Sequence, residues 1–596
     1  FKEVLVKGRS NYACLRKVDQ LNDTEALTLF EETELSQRTA ILDWIKSAKN
    51  GSRDELGFIP EEGLWSKISS ERDVCSKNKC THFKDCFFFK ARKEMSGANI
   101  LVVNHHILCG DISIRKDKED YSVTAILPAY TKVIIDEAHN LEDTAVSYFG
   151  TQVSRMGLKQ TLGRLYRITK KKPVGLLAFL HNRITAKSLN YPEIKNFFSI
   201  NENIQHLFSK INAANNVIDD FFETLLKFFI ARVKNKNENT LRLISSIHED
   251  DAFIVLLSSA KNLSAELYSI AENMRHLNNS LENLPYFHRE DIFSEINECS
   301  AYSERIQGYA LSIEKILDCK ESDFVYWLEL SGYKDKMRIS LNMCPIEIGD
   351  LMREYLFTPI NSVVLTSATL STGGTFDFVK SRVGLNSLSV KNLFEEVLPS
   401  HFNFKEQAIL CIPSDISEPN NADFDNHVIR YAKNILSVTN GATFFLCTSF
   451  QQLRKLKDFI ANCEDLSHLT TLSQGDLDRS RLLEVFKSTR NSVLLGTDSF
   501  WEGVDVPGDA LKCVVIVKLP FKVPSEPIHQ ARAEKIEQNG GNSFLDYSVP
   551  ISIIKFKQGF GRLIRSNYDE GVVTCLDKRV VTKSYGRYFI QSLPEL

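Results

Sequence analysis

Six short apolar runs, each broken off by polar, glycine-containing or acidic residues, constrain the fold of this chain more than any other feature. Val4-Leu5-Val6 passes into Lys7-Gly8-Arg9-Ser10-Asn11, Ile100 to Val103 into Asn104-His105-His106, and Val133-Ile134-Ile135 into Asp136-Glu137. Val363-Val364-Leu365 passes into Thr366-Ser367-Ala368-Thr369, Phe444-Phe445-Leu446 into Thr448-Ser449-Phe450, and Val493-Leu494-Leu495 into Gly496-Thr497-Asp498. Continuous apolar runs of this length, separated by helical stretches, predict strands buried on both faces in parallel α/β sheets. Ligands of such sheets gather at the carboxyl ends of the strands, which is where each polar segment falls.

Two stretches break that rhythm. Residues 15–99 are polar and carry cysteines. Residues 145–335 have a helical period, with Val217, Phe221, Leu225 and Phe229 four apart and Leu263, Leu267 and Ile270 in the same style. The outline is an α/β domain with two insertions, followed by a second α/β domain from about residue 400. A chain of 596 residues, 43% hydrophobic and 25% charged, is ample for several cores. Its formal net charge of −3 gives no global sign of nucleic acid, so charge has to be read locally. Around three of the cysteines, residues 72–93 carry Arg72, Lys77, Lys79, Lys84, Lys90, Arg92 and Lys93 against Asp73 and Asp85.

The thirteen cysteines are odd in number and many lie in apolar runs (Cys411, Cys447, Cys513, Cys575), which suits buried thiols in a reducing compartment. No stretch approaches the ~18 apolar residues of a membrane span, and no signal peptide is expected. The chain opens on Phe1, and an incomplete N-terminus is expected. Cys75, Cys80 and Cys86, with the distant Cys14, lack the paired C-x2-C halves of most structural zinc sites, although four thiolates serve zinc or a [4Fe–4S] cluster equally. Among Phe83, Phe87, Phe88 and Phe89, a core role is expected over a duplex wedge. The lysines around them suit a phosphate backbone.

Asp136-Glu137-Ala138-His139 follows its strand directly. The first acid at such a position holds Mg²⁺ and the second orients the water that attacks a γ-phosphate. Gln558-Gly559-Phe560-Gly561-Arg562-Leu563-Ile564-Arg565 puts two arginines three apart, on one face if helical, with the planar fork that phosphate oxygens accept. Trp501-Glu502-Gly503-Val504-Asp505 makes an acidic, glycine-bearing loop. No Gly-Lys-Ser/Thr triplet is present, so the phosphate-gripping half of a nucleotide site is not in these residues, and efficient ATP hydrolysis is not expected of them alone.

Taken in order, Asp136 to His139, Thr366 to Thr369, Gly496 to Asp505 and Gln558 to Arg565 resemble motifs II, III, V and VI of superfamily 2 helicases. Lys7-Gly8-Arg9-Ser10-Asn11-Tyr12-Ala13-Cys14 resembles the motif Ia region of the iron–sulfur branch that holds XPD and the bacterial DinG and YoaA group. The resemblance implies two RecA-like motor domains, the first interrupted by an iron–sulfur domain and a helical arch. Motor domain 1 would comprise residues 1–14, 100–144 and 336–400, the iron–sulfur domain 15–99, the arch 145–335 and motor domain 2 residues 401–596. It also implies a [4Fe–4S] cluster on Cys14, Cys75, Cys80 and Cys86, Mg²⁺ on Asp136 and a catalytic base in Glu137, with His139 beside them. Gln558, Arg562 and Arg565 would contact ATP, while Glu502, Gly503 and Asp505 would couple it to DNA. Arg9, Asn11, Thr448 and Ser449 are the candidates to face DNA.

The function expected is ATP-dependent 5′→3′ unwinding of forked, displaced or RNA-paired DNA by a monomeric cytoplasmic, nucleoid-associated bacterial protein engaging a replication or repair partner. The missing triplet is attributed to the incomplete N-terminus. The rivals are a DinG-like nuclease and an ATP-independent scaffold for single-stranded DNA.

Overall fold

The computed structural model describes the chain except residues 23–28, 30–33, 119–120, 122–123, 192–193, 195, 234–237, 333–336, 389–391, 505 and 507. It divides into two compact units, Phe1–Tyr130 with Thr144–Ile346, and Thr131–Asp143 with Glu347–Leu596. All six apolar runs form strands. In the first unit Glu3–Leu5 pairs in parallel with Ile100–Val102, and in the second Lys132–Ile135 pairs in parallel with Ser362–Leu365.

The second unit is organised by a six-stranded parallel sheet whose strands are β1 (Ala408–Cys411), β2 (Thr443–Leu446), β3 (Thr470–Ser473), β4 (Ser492–Gly496), β5 (Cys513–Ile516) and β6 (Gly571–Cys575). Their order is β1-β6-β5-β2-β4-β3. Successive side chains of a strand face opposite ways, and here both faces are covered. Phe444, Leu446, Leu494, Val514 and Ile516 enter one core, while Phe445, Val493, Leu495, Cys513 and Val515 enter the other. Cys411 departs from the buried thiol expected of it: β1 is an edge strand and leaves it exposed.

In the first unit the helical period is realised in three long helices, Asn196–Arg232, Asp251–Glu282 and Phe293–Asp318. Phe221, Leu225, Phe229, Leu263, Leu267 and Ile270 all lie in their shared core. Beside them stands a four-stranded antiparallel sheet in the order Thr151–Ser154, Arg338–Pro345, Phe324–Ser331, Thr240–Leu243. The helical reading of 145–335 omitted it, because two of its strands are only four residues long and lie far apart in sequence. The cysteine-bearing segment packs its own small core of Ala13, Val18, Ile41, Leu64, Trp65 and Ile68. Among the described residues, no helix is long and apolar enough to cross a membrane.

Candidate functional site

The acidic box is built by two adjacent strand ends of the second unit. Past the paired strands the backbone ladder continues, Thr366 N donating to Ile135 O at 2.9 Å and Ala138 N to Thr366 O at 3.0 Å. Residues 136–138 and 366–369 therefore run side by side. Glu137 is forced into the left-handed region at φ 48° and ψ 44°, a conformation that costs a non-glycine residue roughly 1–3 kcal/mol. The turn leaves the Glu137 side chain 61% exposed while that of His139 is 6% exposed. Asp136 sits one residue before it, at the end of its strand.

His139 is held from both sides. Its Nδ1 is 2.8 Å from Ser367 Oγ, and its Nε2 is 2.6 Å from the amide nitrogen of Gln558. With Gln558 donating, the imidazole carries its proton on Nδ1 and donates to Ser367. Ser367 in turn donates to Glu137 Oε2 at 3.1 Å. A hydrogen-bonded path thus runs from Gln558 through His139 and Ser367 to Glu137. The buried Oε1 of Gln558 makes no hydrogen bond.

Gln558 ends the helix Val549–Phe560. Arg562 and Arg565 lie beyond that helix rather than on it, a correction to the one-face reading, yet they converge all the same. Both donate to the carbonyl of Val504, Arg562 Nη1 at 2.6 Å and Arg565 Nη2 at 2.9 Å. The carboxylate of Asp569 fastens the turn by accepting from the backbone of Arg565 and Ser566, each at 2.7 Å, and from Gly508 N at 3.1 Å. Burial pulls the Arg562 guanidinium down to about 10, with the neighbouring Arg565 acting the same way. A cation in that state gains from an incoming anion.

The loop between them carries Glu502, whose carboxyl is held at about 2 first by the imidazole of His139, with Nε2 3.9 Å from Glu502 Oε2, and then, against burial, by Lys555. Gly503 has φ 61°, and a Cβ there would stand 2.9 Å from Arg479 Nη2. Asp505 lies outside the described residues. Asp569 and Arg479, which shape this loop, were not singled out in sequence because lone charged residues carry no spacing signal.

In the first unit Cys14, Cys75, Cys80 and Cys86 all line one cavity, together with Arg16, Glu71, Phe83 and Phe89. None is in a disulfide. Burial raises the Cys80 and Cys86 thiols, and the neighbouring Cys14 and Cys75 push in the same direction. No three Cys, His, Asp or Glu among the described residues gather tightly enough to hold a metal ion. The four thiols line one space, a donor set of the kind that serves an iron–sulfur cluster or zinc. Phe87 and Phe88 are buried against Tyr12, and Phe83 is exposed.

The remaining candidates have local partners. Arg9 stacks on Phe88 with its guanidinium 3.9 Å from the ring centroid and donates to Glu71 O at 2.8 Å. Asn11 Nδ2 donates to Gly8 O at 3.2 Å. Ser449 caps the helix Phe450–Asn462 by accepting from Gln452 N at 3.2 Å, and Thr448 is half-buried just ahead of it.

Known proteins resemble this chain over most of its length. A family model described as DEAD_2 matches residues 63–158, and that of the helicase C-terminal domain matches residues 432–596. The ATP-dependent DNA helicase YoaA of Haemophilus influenzae is 29% identical over 594 residues, which cover 100% of this chain and 81% of that protein. The ATP-dependent DNA helicase DinG of Photobacterium profundum is 28% identical, with 100% and 83% covered. A Bacillus subtilis protein named 3′-5′ exonuclease DinG is 29% identical over 99% of this chain but 61% of its own length. Among solved structures, an XPD helicase aligns over 100% of this chain and 86% of its own with a TM-score of 0.50 at 13% identity, a likeness of fold. The chain is similar over its whole length to the DinG and YoaA helicases and has the XPD-like helicase fold.

Proposed function

We propose that this protein is an ATP-dependent DNA helicase that hydrolyses Mg·ATP at the site of Asp136, Glu137, His139, Gln558, Arg562 and Arg565. The observation that carries the reading is the path from Gln558 through His139 and Ser367 to Glu137. It joins the acidic box to the arginine-bearing turn, so that a change at one is felt at the other. Asp136 takes the Mg²⁺ of the nucleotide. Glu137, exposed and braced by Ser367, receives the proton of the attacking water. Arg562 and Arg565 meet the charge that develops on the phosphoryl group. Glu502 and Gly503 sit on the loop that both arginines grip, and with Asp505 they relay the state of the nucleotide to DNA.

Cys14, Cys75, Cys80 and Cys86 would hold a [4Fe–4S] cluster, which when bound ties four separate chain positions together through iron–thiolate bonds. The motor domains, cluster domain and arch follow the boundaries given above. Translocation is 5′→3′ on single-stranded DNA, with Arg9, Asn11, Thr448 and Ser449 along its path. Forked, displaced or RNA-paired DNA in the bacterial cytoplasm is the substrate, opened by a monomer with a replication or repair partner. Melting one base-pair step costs on the order of 1.4 kcal/mol of stacking, so a short step per ATP suffices.

The test is unwinding by full-length protein, purified anaerobically, on matched duplexes with a 5′ or a 3′ single-stranded tail. ATP-dependent opening of the 5′-tailed duplex alone is expected; no opening of either by protein with bound iron would refute the reading. The Bacillus subtilis relative named an exonuclease favours a second reading, in which metal-dependent digestion of DNA proceeds without ATP.

A further inference from the structure

Three residues after His139 stands Glu142, in the first turn of the helix Leu141–Phe149. It belongs to none of the helicase-like segments, yet its side chain is only 13% exposed and is shared by two arginines from distant parts of the chain. Arg382 Nη2, on the short helix Asp377–Val383, is 2.5 Å from Glu142 Oε1. Arg532 Nη2, on the helix Pro527–Gln538, is 2.7 Å from the same oxygen. Both arginine side chains are buried, at 8% and 2% exposure. Tyr547 floors the arrangement: the two guanidinium carbons lie 5.2 and 5.9 Å from its ring centroid, and its hydroxyl accepts from Arg532 Nη1 at 3.0 Å. Phe378, from the helix of Arg382, packs on the same ring.

We propose that Glu142 and Arg532 form a latch that holds the acidic box against the C-terminal sheet domain in the arrangement where His139 meets Gln558. They are positioning residues that set how readily ATP is retained. The inference rests on the helicase reading above and deepens it. The stoichiometry of the charges is the argument. A buried one-to-one pair is costly to part, because each partner is left uncompensated in a low dielectric. Here one buried acid serves two bases, while the partly exposed Glu347 stands farther off, its Oε1 3.7 Å from Arg382 Nη1. When Arg532 withdraws, Glu142 keeps Arg382, and no carboxylate is orphaned. The cation that leaves goes to water. Such a contact favours the closed arrangement without making it permanent, as a cleft that must open in every cycle requires. Arg382 and Arg532 also repel one another, and Glu142 between them offsets that repulsion.

The experiment measures KM for ATP, kcat of DNA-stimulated hydrolysis and Tm in full-length wild type, Arg532→Gln and Arg532→Lys. Arg532→Gln leaves Glu142 neutralised by Arg382, so a folded protein is expected. Its KM for ATP should rise about tenfold, the size of one lost charge-assisted contact, with kcat at saturating ATP within about twofold of wild type. Arg532→Lys, which keeps the charge but not the fork, should fall between. An unchanged KM, or a loss confined to kcat, would overturn the proposal, whatever happens to Tm. Should Arg532→Gln fail to fold, Glu142→Asp carries the same expectation, because shortening the acid keeps its charge but breaks the shared contact; a folded Glu142→Asp with wild-type KM overturns it equally. A wild type that hydrolyses no ATP would instead defeat the helicase reading on which the latch rests.

Discussion

Replacing Ser367 by alanine tests the path between Gln558 and Glu137 at its narrowest point. The hydroxyl accepts from His139 Nδ1 at 2.8 Å, donates to Glu137 Oε2 at 3.1 Å and accepts from Thr369 N at 3.2 Å. A neutral hydrogen bond is worth about 0.5–1.5 kcal/mol net, and one to a charged group about 1.5–3 kcal/mol. The Glu137 contact belongs at the bottom of the charged range or below it, because a side chain 61% exposed is screened by water. Two effects then bear on the rate: Glu137 loses its brace, and the imidazole proton loses its acceptor. Thr369 Oγ1, 3.4 Å from Nδ1, is placed to accept that proton and limits the second loss. The sum is about 1–2 kcal/mol of transition-state stabilisation, or a kcat about five- to thirtyfold lower. The assay is DNA-stimulated ATP hydrolysis at saturating ATP, with Ser367→Thr as the variant that keeps a hydroxyl. A kcat within twofold of wild type, or a change carried wholly by KM, would refute the path as the link between the acidic box and the arginine turn.

Three further outcomes are expected. In Gly559→Ala the new Cβ would stand 2.8 Å from the fully buried Trp501 ring and 3.0 Å from Leu446, so thermal unfolding should show about 1–3 kcal/mol lost, and an unchanged Tm would contradict that packing. His529 is held neutral chiefly by burial, its pKa lowered from 6.5 to about 3, so the unfolded chain takes up its proton first: the stability it contributes is full above pH 6.5 and declines as pH falls toward 3. In His529→Gln the stability difference between pH 7 and pH 5 should shrink by about 2 kcal/mol in denaturant unfolding, and an identical difference would sink the argument. Cys80→Ser should remove bound iron and acid-labile sulfide from anaerobically purified protein, and full iron content in the variant would exclude Cys80 as a ligand.

Strands were legible where a run of apolar residues stopped short. Val133 to Ile135 and Val363 to Leu365 both announced strands, and they pair with one another although more than two hundred residues separate them. The long helices were legible for the same reason, since a period of about 3.6 sustained over 37 residues in Asn196–Arg232 cannot belong to a strand. The antiparallel sheet of the first unit was not. Phe324–Ser331 is eight residues long, but its partner Thr240–Leu243 is four, too short for alternation to stand out. The turn after Gln558 misled for a different reason: three-residue spacing suggests a helix face, whereas the helix stops at Phe560 and Asp569 holds the following turn through four hydrogen bonds.

The latch shows why part of a site stays hidden in a sequence. Glu142, Arg382 and Arg532 are ordinary charged residues on ordinary helices, 240 and 150 positions apart, and a solvated face is what such residues most often make. Their significance depends on burial, and burial of a charge is decided by what else the fold delivers to the same point. The motif residues are of the opposite kind. Asp136, Glu137 and the arginines near Gln558 are tied to strand ends and turns, so their chemistry can be inferred before any contact is known. A motor of this design needs both kinds. The nucleotide chemistry is written at strand ends, where position follows from local sequence. The contacts that govern opening and closing lie where distant elements meet, and the sharing of one buried acid by two bases is a property of the assembled structure alone. Substitutions of the first kind should therefore act on kcat, and those of the second on the affinity for ATP, a division that the Ser367 and Arg532 variants measure directly.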